Sequence, residues 1–285
     1  MKSRWLLNLA LLLFLIALIL LVRYVPGRHQ AKVLPHLTQL APTAVRSVTL
    51  ARLNKPVIQL IRKGHHWQLV APVQARADRF RLDALLHVAT ARVHDRFPVS
   101  YDDLGKYGLA TPLATLTLDG QAIAFGGTEP LNNLRYVRYQ GAVEAIPSFS
   151  FDPATIRVHD FFSTRLLEKS DQLAGLLFAH FELRYHKGLW SLTPPQPRLT
   201  SDAINAFVDQ WRYTRALSVT RYHQEPVVGT ITLLIRKTPT TAPKPLVIDV
   251  LSRQPELVLY RPDEGLEYHF PAQVGDQLLQ LKAAP

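Results

Sequence analysis

The chain has 285 residues, of which 47% are hydrophobic and 19% charged, a composition typical of folded domains rather than disordered segments. Its 33 Lys and Arg against 22 Asp and Glu give a formal net charge of +11, and the basic residues are not gathered in one tract. A histone-like or tail-driven contact with nucleic acid therefore has little support. The absence of cysteine excludes disulfide scaffolds, thiol catalysis, iron–sulfur clusters and zinc sites with Cys ligands.

The first predicted element is a membrane-spanning helix near the amino terminus. Residues 6–22 are apolar except for Asn8, and basic residues flank them on both sides. At a rise of about 1.5 Å per residue, residues 5–22 would cover roughly 27 Å, close to the ~30 Å hydrocarbon core of a bilayer. Aromatic residues at both ends suit the two membrane interfaces. The predicted contacts with lipid are Trp5, Leu6, Leu12, Phe14, Leu18, Val22 and Tyr24.

A cleaved signal peptide is the alternative interpretation of this segment. The apolar run is longer than the usual ~7–15 residues of a signal peptide, and no small-x-small cleavage pattern follows it. We therefore expect an uncleaved signal anchor over residues 1–25. Its flanking charges do not decide its orientation, but a short tail before a long domain usually stays in the cytoplasm. This predicts a single-pass protein of a bacterial inner membrane with a periplasmic body.

Beyond a connector over residues 26–40, short β-rich segments alternate with Gly and Pro, and the 21 prolines argue against a helical bundle. Asp78 is placed to cap a helix, and Asp119-Gly120 predicts a two-residue hairpin turn with positive φ. The first predicted strands cover residues 45–53, 57–62 and 66–70. The apolar face of the predicted helix is formed by Leu82, Leu85, Leu86, Ala89 and Val93.

An internal repeat with an offset of about 123 residues is the most informative pattern in the chain. Trp67 and Trp190 each follow a Lys-Gly pair and precede a predicted helix, which is capped in the second copy by Ser201 and Asp202. The hairpin over residues 115–125 corresponds to residues 230–251, where a Pro-rich loop over residues 238–245 replaces the short turn.

The repeat predicts an α+β fold with mainly antiparallel sheets, in which two tandem α+β subdomains, residues 41–160 and 165–285, follow the transmembrane helix. The landmarks of the two copies are interpreted as packing and turn residues rather than ligand platforms. They are Gly64, Trp67, Pro72, Asp78, Tyr107, Gly108, Leu109, Gly188, Trp190 and Asp202.

This order of motifs resembles the bacterial domain of unknown function 4340 family. The motifs are Lys63-Gly64, Trp67-Gln68-Leu69, Pro72, Ala77-Asp78, Tyr107-Gly108-Leu109 with Pro112, Phe125-Gly126 and Tyr136-Val137. The resemblance covers residues 45–271, although residues 127–133 and the loop over residues 238–245 do not contribute to it. It implies a membrane-anchored, exported body beside gliding-motility-type ABC transporters, with permease or ATPase subunits as partners. It implies no catalytic residues.

The residues that could carry chemistry form no recognised motif. His65-His66 are neighbours, whose side chains in a strand point to opposite faces. His180, Glu182 and His186 would share one face with Arg184, which would repel a cation, so a solvated face is the favoured interpretation. Gly126-Gly127 lacks the Lys-Ser/Thr ending of a phosphate loop, and no serine lies in a nucleophile elbow. Asp102-Asp103 and Asp119 are assigned to a helix start and a turn. We expect no metal and no cofactor.

The sequence therefore predicts an anchored binding or scaffold protein, an accessory component of an ABC transporter system, rather than an enzyme. Two alternatives stay open. The first is an anchored cell-envelope hydrolase or transferase that works in a cleft between the repeats. The second is a binder of anionic lipid or wall polymer, because basic residues still outnumber acidic ones when Lys2, Arg4 and Arg23 are set aside,.

Overall fold

The computed structural model describes residues 2–24, 34–64, 66–98 and 101–282. Within these ranges, no side chain is described for residues 2–4, 6, 7, 22–24, 101 and 102. The expectations for His65, for residues 26–33 of the connector, and for the side chains of Leu6, Val22 and Tyr24 therefore lie outside the described residues. The chain divides into two units, Met1–Pro35 and His36–Pro285.

In the described part of the first unit there is one helix, α1, over Lys2–Tyr24. The side chains described in it are exposed, among them Leu12, Phe14 and Leu18. Across the described residues, no helix was found whose length and apolar character suffice to cross a membrane.

The second unit has an α+β fold with two antiparallel sheets. We call residues 36–162 its amino-terminal half and residues 163–282 its carboxy-terminal half. The strands of the amino-terminal half are β1 (Ser47–Arg52), β2 (Ile58–Lys63), β3 (His66–Ala71), β4 (Ala75–Arg76), β5 (Asp95–Phe97), β6 (Ala114–Leu118), β7 (Gln121–Thr128), β8 (Leu134–Tyr139) and β9 (Ala142–Pro147). Those of the carboxy-terminal half are β10 (Gln172–Leu177), β11 (Glu182–His186), β12 (Leu189–Thr193), β13 (Ser218–Arg221), β14 (Gly229–Arg236), β15 (Lys244–Ser252), β16 (Glu256–Arg261) and β17 (Leu266–Pro271).

Four helices accompany these sheets among the described residues of the second unit. They are α2 (Arg79–Leu86), α3 (Asp152–Thr155), α4 (Ser201–Tyr213) and α5 (Ala272–Leu279). Short 3₁₀ segments cover His87–Thr90, Tyr101–Tyr107, Ser148–Phe151 and Val158–Phe161.

The two sheets share one strand order. The first sheet runs β4-β3-β2-β1-β6-β7-β8-β9-β5, and the second runs β12-β11-β10-β14-β15-β16-β17-β13. When β4 is set aside, each strand of the first sheet has a counterpart at the same place in the second. With β4 set aside, α2 and α4 also occupy the same place in the order of elements, after β3 and β12. Whether this order reflects a repeat of the sequence stays a prediction, as does the boundary between the subdomains.

One hydrophobic core contains residues of both sheets. It joins Leu50 and Phe125 of the first sheet to Leu233 and Phe270 of the second, and Trp67 and Trp190 pack against it while partly buried. Burial of apolar surface on this scale is the main favourable contribution to folding. The two halves therefore stabilise each other within the second unit.

The helix predicted after Asp78 begins as expected but is shorter. The Asp78 carboxylate accepts a hydrogen bond from the Arg81 backbone N–H at 3.0 Å, which is the usual N-cap arrangement. The α-helix ends at Leu86 and continues as 3₁₀ to Thr90, so that Val93 lies beyond it. The Ala89 carbonyl accepts hydrogen bonds from the backbone and hydroxyl of Thr38, and this contact fixes the changed path of the chain.

The cap of α4 differs from the prediction by one residue. Thr200, rather than Ser201 or Asp202, is the N-cap, and its hydroxyl accepts from the Ala203 backbone N–H at 3.2 Å. Asp202 lies in the first turn of the helix, where a negative charge interacts favourably with the helix dipole. The predicted hairpin at Asp119-Gly120 is confirmed, with φ of 45° and 84° at its two turn residues.

Candidate functional site

A groove of about 380 Å³ lies where the two halves of the second unit meet. The wall from the amino-terminal half is formed by Pro56, Pro72, Val158, His159 and Phe162. The opposite wall, from the carboxy-terminal half, is formed by Thr220, Arg221 and His223. An apolar wall thus faces a polar and basic one, which is a common composition of ligand-binding clefts.

The apolar wall is held in place by backbone hydrogen bonds around the 3₁₀ segment Val158–Phe161. The Arg157 N–H donates to the Asp160 carboxylate at 3.0 Å, which fixes the start of the segment. At its end, the Asp78 N–H donates to the Phe161 carbonyl at 2.7 Å. The cap of α2 and this wall of the groove are therefore parts of one rigid arrangement.

Thr220 and Arg221 of the polar wall belong to β13, the outer strand of the second sheet, which pairs with β17. In this register Thr220 lies opposite Glu267, and Ser218 lies opposite His269. Residues that face each other across an antiparallel pair lie on one side of the sheet, as do residues two apart on one strand. The pairing thus gathers Thr220, Glu267 and His269 on a single face.

These residues form a continuous hydrogen-bonded chain, which we call the polar chain. Glu256 Oε1 lies 2.9 Å from His269 Nδ1, and His269 Nε2 lies 3.1 Å from the Thr220 hydroxyl. The same hydroxyl is 3.3 Å from Glu267 Oε2, which lies 2.8 Å from His223 Nδ1. Two carboxylates, two imidazoles and one hydroxyl therefore lie in sequence, and two of these residues, Thr220 and His223, line the groove.

Glu267 is the buried centre of the polar chain, with a side chain that is only 2% exposed. Besides its contacts with Thr220 and His223 Nδ1, it accepts a hydrogen bond from the His223 backbone N–H at 2.7 Å. A carboxylate is retained in such a buried place only when donors surround it. The arrangement fixes the position of His223 at the edge of the groove.

Two tyrosines cover the sheet beside Glu267. The rings of Tyr222 and Tyr260 stack with centroids 3.9 Å apart, and Tyr260 lies opposite Glu267 in the strand pair. Burial raises the pKa of Tyr260, and the neighbouring Tyr222 and Asp249 raise it further. Tyr260 is therefore held as a neutral phenol next to the polar chain.

A second polar cluster joins the two halves away from the groove. The Arg76 guanidinium of β4 donates to Glu264 Oε1 at 2.5 Å, to the Tyr268 hydroxyl at 3.0 Å and to the Arg165 carbonyl at 2.6 Å. Burial lowers the pKa of Arg76, but Tyr268 and Glu264 outweigh it and raise this pKa overall. Burial also raises the pKa of Tyr268. With its donors and acceptors paired, this cluster holds the halves together.

The largest concavity of those described is basic and lies at the other end of the first sheet. It measures about 530 Å³ and is lined by Thr43, Ala44, Arg46, Arg62 and Gly64. The Arg62 guanidinium donates to the Thr43 carbonyl at 2.6 Å and to the Gly64 carbonyl at 3.2 Å. Because this guanidinium already binds backbone carbonyls of the chain, the concavity is a weaker candidate than the groove.

The motif Tyr107-Gly108-Leu109 packs onto the two glycines of β7. A Cβ atom on Gly126 would lie 2.3 Å from the Tyr107 carbonyl oxygen, and one on Gly108, whose φ is +66°, would lie 2.8 Å from the Gly127 N. The glycines of both segments thus permit a backbone contact that no side chain would allow. In the structure, Gly126-Gly127 therefore serves as a packing site for the backbone of residues 107–109.

The other landmarks of the predicted repeat lie in turns, strands and helix starts. Gly64 and Gly188 have positive φ in hairpin turns, and Pro72 lies at the groove. Asp103 belongs to the 3₁₀ segment Tyr101–Tyr107, and its carboxylate accepts a hydrogen bond from Lys106 at 2.5 Å. Asp119 accepts hydrogen bonds from the backbone of Arg46 and Ser47.

The histidines considered for a metal site do not come together. Arg184 binds Glu182 at 2.9 Å, and His186 is exposed at the end of β11. His66 lies 3.6 Å from Glu168. Among the described residues, no group of three or more His, Cys, Asp or Glu side chains is arranged to hold a metal ion.

Sequence reasoning did not single out any member of the polar chain. Glu267 and His269 are separated by one residue in an otherwise apolar strand, and this spacing is the one signal that places both side chains on one face. Thr220 and Glu256 come from two other strands. Their contact with His269 depends on strand order and register, which no local pattern contains.

The fold and the groove define an α+β protein with two antiparallel sheets and a cleft between its halves. A family model described as a domain of unknown function, DUF4340, matches residues 67–225. Because this match covers more than half of the chain, the protein belongs to that family. No curated protein and no solved structure matches the chain. The matched region includes Thr220 and His223 of the groove and ends before Glu256.

Proposed function

We propose that the protein is a single-span, membrane-anchored binding protein that takes up a partner in the groove between its halves. The observation that carries this proposal is the groove itself, where an apolar wall faces Arg221 and His223. Such a surface suits a protein segment with an apolar and an acidic side chain, because each finds a matching wall.

The proposed anchor is α1. At about 1.5 Å per residue its 23 residues span roughly 34 Å, compared with ~30 Å for the hydrocarbon core. The side chains near both ends of this helix lie outside those that the structure describes, so the proposal rests on the sequence of residues 5–22. Apolar side chains such as Phe14, which is 66% exposed, and Leu13, which is 59% exposed, would be stabilised by lipid. In this proposal the short amino-terminal tail stays in the cytoplasm and the second unit lies in the periplasm of a bacterial inner membrane.

Two measurements on the full-length chain test the anchor and its orientation. We expect the protein to stay in the membrane pellet after alkaline carbonate extraction, as an integral protein does. A carboxy-terminal alkaline phosphatase fusion should be active, because that enzyme folds in the periplasm. Release into the carbonate supernatant would contradict the anchor, and an inactive but expressed fusion would contradict the orientation.

The proposed partners are the permease or ATPase subunits of an ABC transporter, which the family resemblance implies. The decisive experiment is purification of the carboxy-terminally tagged chain from membranes in mild detergent, followed by mass spectrometry. We expect permease and ATPase subunits in stoichiometric amounts above an untagged control. Recovery of the tagged protein alone would contradict the transporter role.

We also propose that the two halves are copies of one unit. Equal strand order in both sheets supports this proposal, as does the offset of about 123 residues between corresponding motifs. A groove at the junction of two copies is a natural result of duplication, since each copy contributes one wall. Duplication does not imply that each half folds independently. Because the two halves share one core, we expect residues 165–285 expressed separately not to fold.

A second candidate function is an envelope hydrolase or transferase that acts in the same groove. The polar chain favours it, because His269 and His223 each bind a carboxylate through Nδ1. This contact fixes the tautomer and orientation of an imidazole that acts as a general base. An acyl-transfer reaction is the class that such an arrangement serves when a hydroxyl lies beside the imidazole.

A further inference from the structure

We propose that Thr220, His269 and Glu256 form a nucleophile, a general base and a positioning carboxylate for acyl transfer from esters with an apolar acyl chain. The inference rests on the second candidate function and specifies its residues and its substrate class. None of the three residues belongs to a recognised sequence motif, so the evidence for them is their geometry.

The distances are those of a working hydroxyl–imidazole–carboxylate relay. The Thr220 hydroxyl oxygen lies 3.1 Å from His269 Nε2, and His269 Nδ1 lies 2.9 Å from Glu256 Oε1. Both values fall within the ~2.6–3.2 Å range in which a nucleophile and its base exchange a proton. The hydroxyl and the carboxylate bind opposite nitrogens of one ring, as this chemistry requires.

The hydrogen positions follow from the chemistry of the partners. An ionised Glu256 accepts hydrogen bonds only, so His269 Nδ1 carries the proton of that contact. The neutral ring then has a lone pair on Nε2, 3.1 Å from the Thr220 hydroxyl oxygen. The one hydroxyl proton has a second acceptor, Glu267 Oε2 at 3.3 Å, so in the proposed reaction it turns from Glu267 to Nε2 before it is transferred.

Glu267 supplies a second negative charge to the same ring. Its Oε2 lies 3.7 Å from His269 Nε2, and its side chain is 2% exposed. When His269 takes the hydroxyl proton, the imidazolium lies between Glu256 and Glu267. The Glu256 side chain is 44% exposed, so the buried Glu267 is the carboxylate that stabilises this charge more than water would.

The groove explains the substrate class. Pro56, Pro72, Val158 and Phe162 form an apolar wall opposite Thr220. An acyl chain can pack there while its carbonyl carbon meets the hydroxyl. Arg221 also lines the groove, so the space that would hold the ester carries a positive charge.

The proposed reaction has two balanced steps. First, Thr220 Oγ1 bonds to the carbonyl carbon and gives its proton to His269 Nε2; the bond to the leaving alcohol then breaks, and that alcohol takes the proton from His269. In the second step, water attacks the acyl-Thr220 ester, gives a proton to His269, and releases the carboxylic acid as the proton returns to Thr220. No oxidant, metal or other reactant is needed.

The test is to trap and map the acyl intermediate on the full-length chain in mild detergent. The protein is mixed with p-nitrophenyl butyrate, quenched in acid, and digested for peptide mass spectrometry. We expect a butyryl group on Thr220 and steady release of p-nitrophenolate. A butyryl group found on histidine or lysine alone would overturn the assignment, and this measurement needs no variant.

Variants separate the nucleophile from background catalysis by the other histidines. T220V removes the hydroxyl at nearly constant volume and should lower the rate about 100-fold, as should H269Q. T220S should restore activity. T230V is the matched control, because Thr230 is an exposed threonine whose hydroxyl binds Asp249 at 3.1 Å, and its rate should equal that of the natural protein.

E256Q tests the positioning residue. It keeps the shape of Glu256 but removes its charge, so we expect a lower kcat at unchanged KM.

The outcomes distinguish the inference from the function on which it rests. Hydrolysis that survives T220V but is lost in H269Q would overturn Thr220 as nucleophile and leave a hydrolase in the groove. Hydrolysis in the natural protein no faster than in H269Q would overturn both.

Discussion

The same place in the two sheets carries opposite chemistry. In the first sheet, Phe97 of β5 lies opposite Val143 of β9; in the second, Thr220 lies opposite Glu267. Val143 and Glu267 each precede by four residues the proline that ends their strand, Pro147 or Pro271. The apolar pair packs with Tyr107 and Tyr136, which approach Phe97 with ring centroids 5.7 and 6.0 Å away.

The difference shows that the fold does not require polar groups at this place. In the first sheet, the 3₁₀ segment Tyr101–Tyr107 contributes Leu104 and Tyr107 to an apolar cluster. In the second sheet, a buried carboxylate and two imidazoles occupy the corresponding face at a cost in desolvation. Because the first sheet fills this position with apolar residues, the polar residues at the same position of the second sheet are not required by the fold. Such residues are good candidates for function.

The largest expected effect comes from placing the polar residue of the second sheet in the first. V143E would bury a carboxylate beside Phe97 and Leu109. The donors near it are the hydroxyls of Tyr107 and Tyr136 and the guanidinium of Arg138, opposite Val143 on β8, and they would have to rearrange to bind it. We expect the free energy of unfolding to fall by about 3–5 kcal/mol, the usual cost of a buried charge whose partners are not arranged around it. Urea unfolding of the full-length chain in detergent, followed by tryptophan fluorescence, measures it. V143L is the control, and equal stability of V143E and V143L would contradict the comparison.

A somewhat smaller loss is expected where the Tyr107 segment meets β7. G126A places a methyl group 2.3 Å from the Tyr107 carbonyl oxygen, and backbone on both sides must shift. We expect a loss of about 3 kcal/mol in the same unfolding measurement. G105A is the matched control in the same segment, since a Cβ at Gly105 meets nothing within 4 Å. If the two variants lose equal stability, the close contact is not what requires glycine.

The reverse exchange in the second sheet should cost less. E267V gives this strand the residue of the first sheet and leaves the His223 N–H and Nδ1 without their acceptor. His223 is 63% exposed, so water replaces part of what is lost, and we expect about 1.5 kcal/mol. A loss as large as that of V143E would show that the polar chain is needed for folding rather than for function.

The smallest effect concerns Asp119, whose counterpart turn in the second sheet is a long loop. Burial alone would raise the pKa of Asp119, but hydrogen bonds from Arg46 and Ser47 outweigh it and lower the pKa. D119N should cost about 1 kcal/mol at pH 7. Because the folded-state pKa is lowered, this contribution is complete above the unfolded value of ~3.9 and is lost as pH falls through the folded-state pKa. The difference in free energy of unfolding between D119N and the natural protein should therefore be smaller at pH 3 than at pH 7, and a constant difference would contradict the assignment.

Local sequence signals predicted the hairpins and the helix starts because the responsible forces are local. Asp119-Gly120 tolerates positive φ and Asp78 can cap a helix whatever surrounds them. The end of α2 at Leu86 was not predicted because it depends on a distant contact. Thr38, 51 residues away from Ala89 in the sequence, binds the Ala89 carbonyl and fixes the path of the chain after the helix. The cap of α4 was placed one residue late because Thr200, Ser201 and Asp202 are all suitable caps.

The groove was anticipated only as a cleft between two repeats, and none of its polar residues was named. Thr220, Glu256 and His269 come from three strands, and their contact exists only once β13, β16 and β17 have paired in register. A period-two pattern identifies Glu267 and His269 as neighbours on one face, but it does not distinguish a solvated face from a buried hydrogen-bonded chain. That distinction depends on what covers the face.

The groove beside the second sheet is where we expect the protein to meet its partner. The most direct test is detergent purification of the tagged full-length chain carrying R221E, with R81E as a matched control at an exposed arginine of α2. We predict that the natural chain and R81E co-purify with the proposed permease and ATPase subunits, whereas R221E does not. Equal recovery with R221E and R81E would contradict the claim.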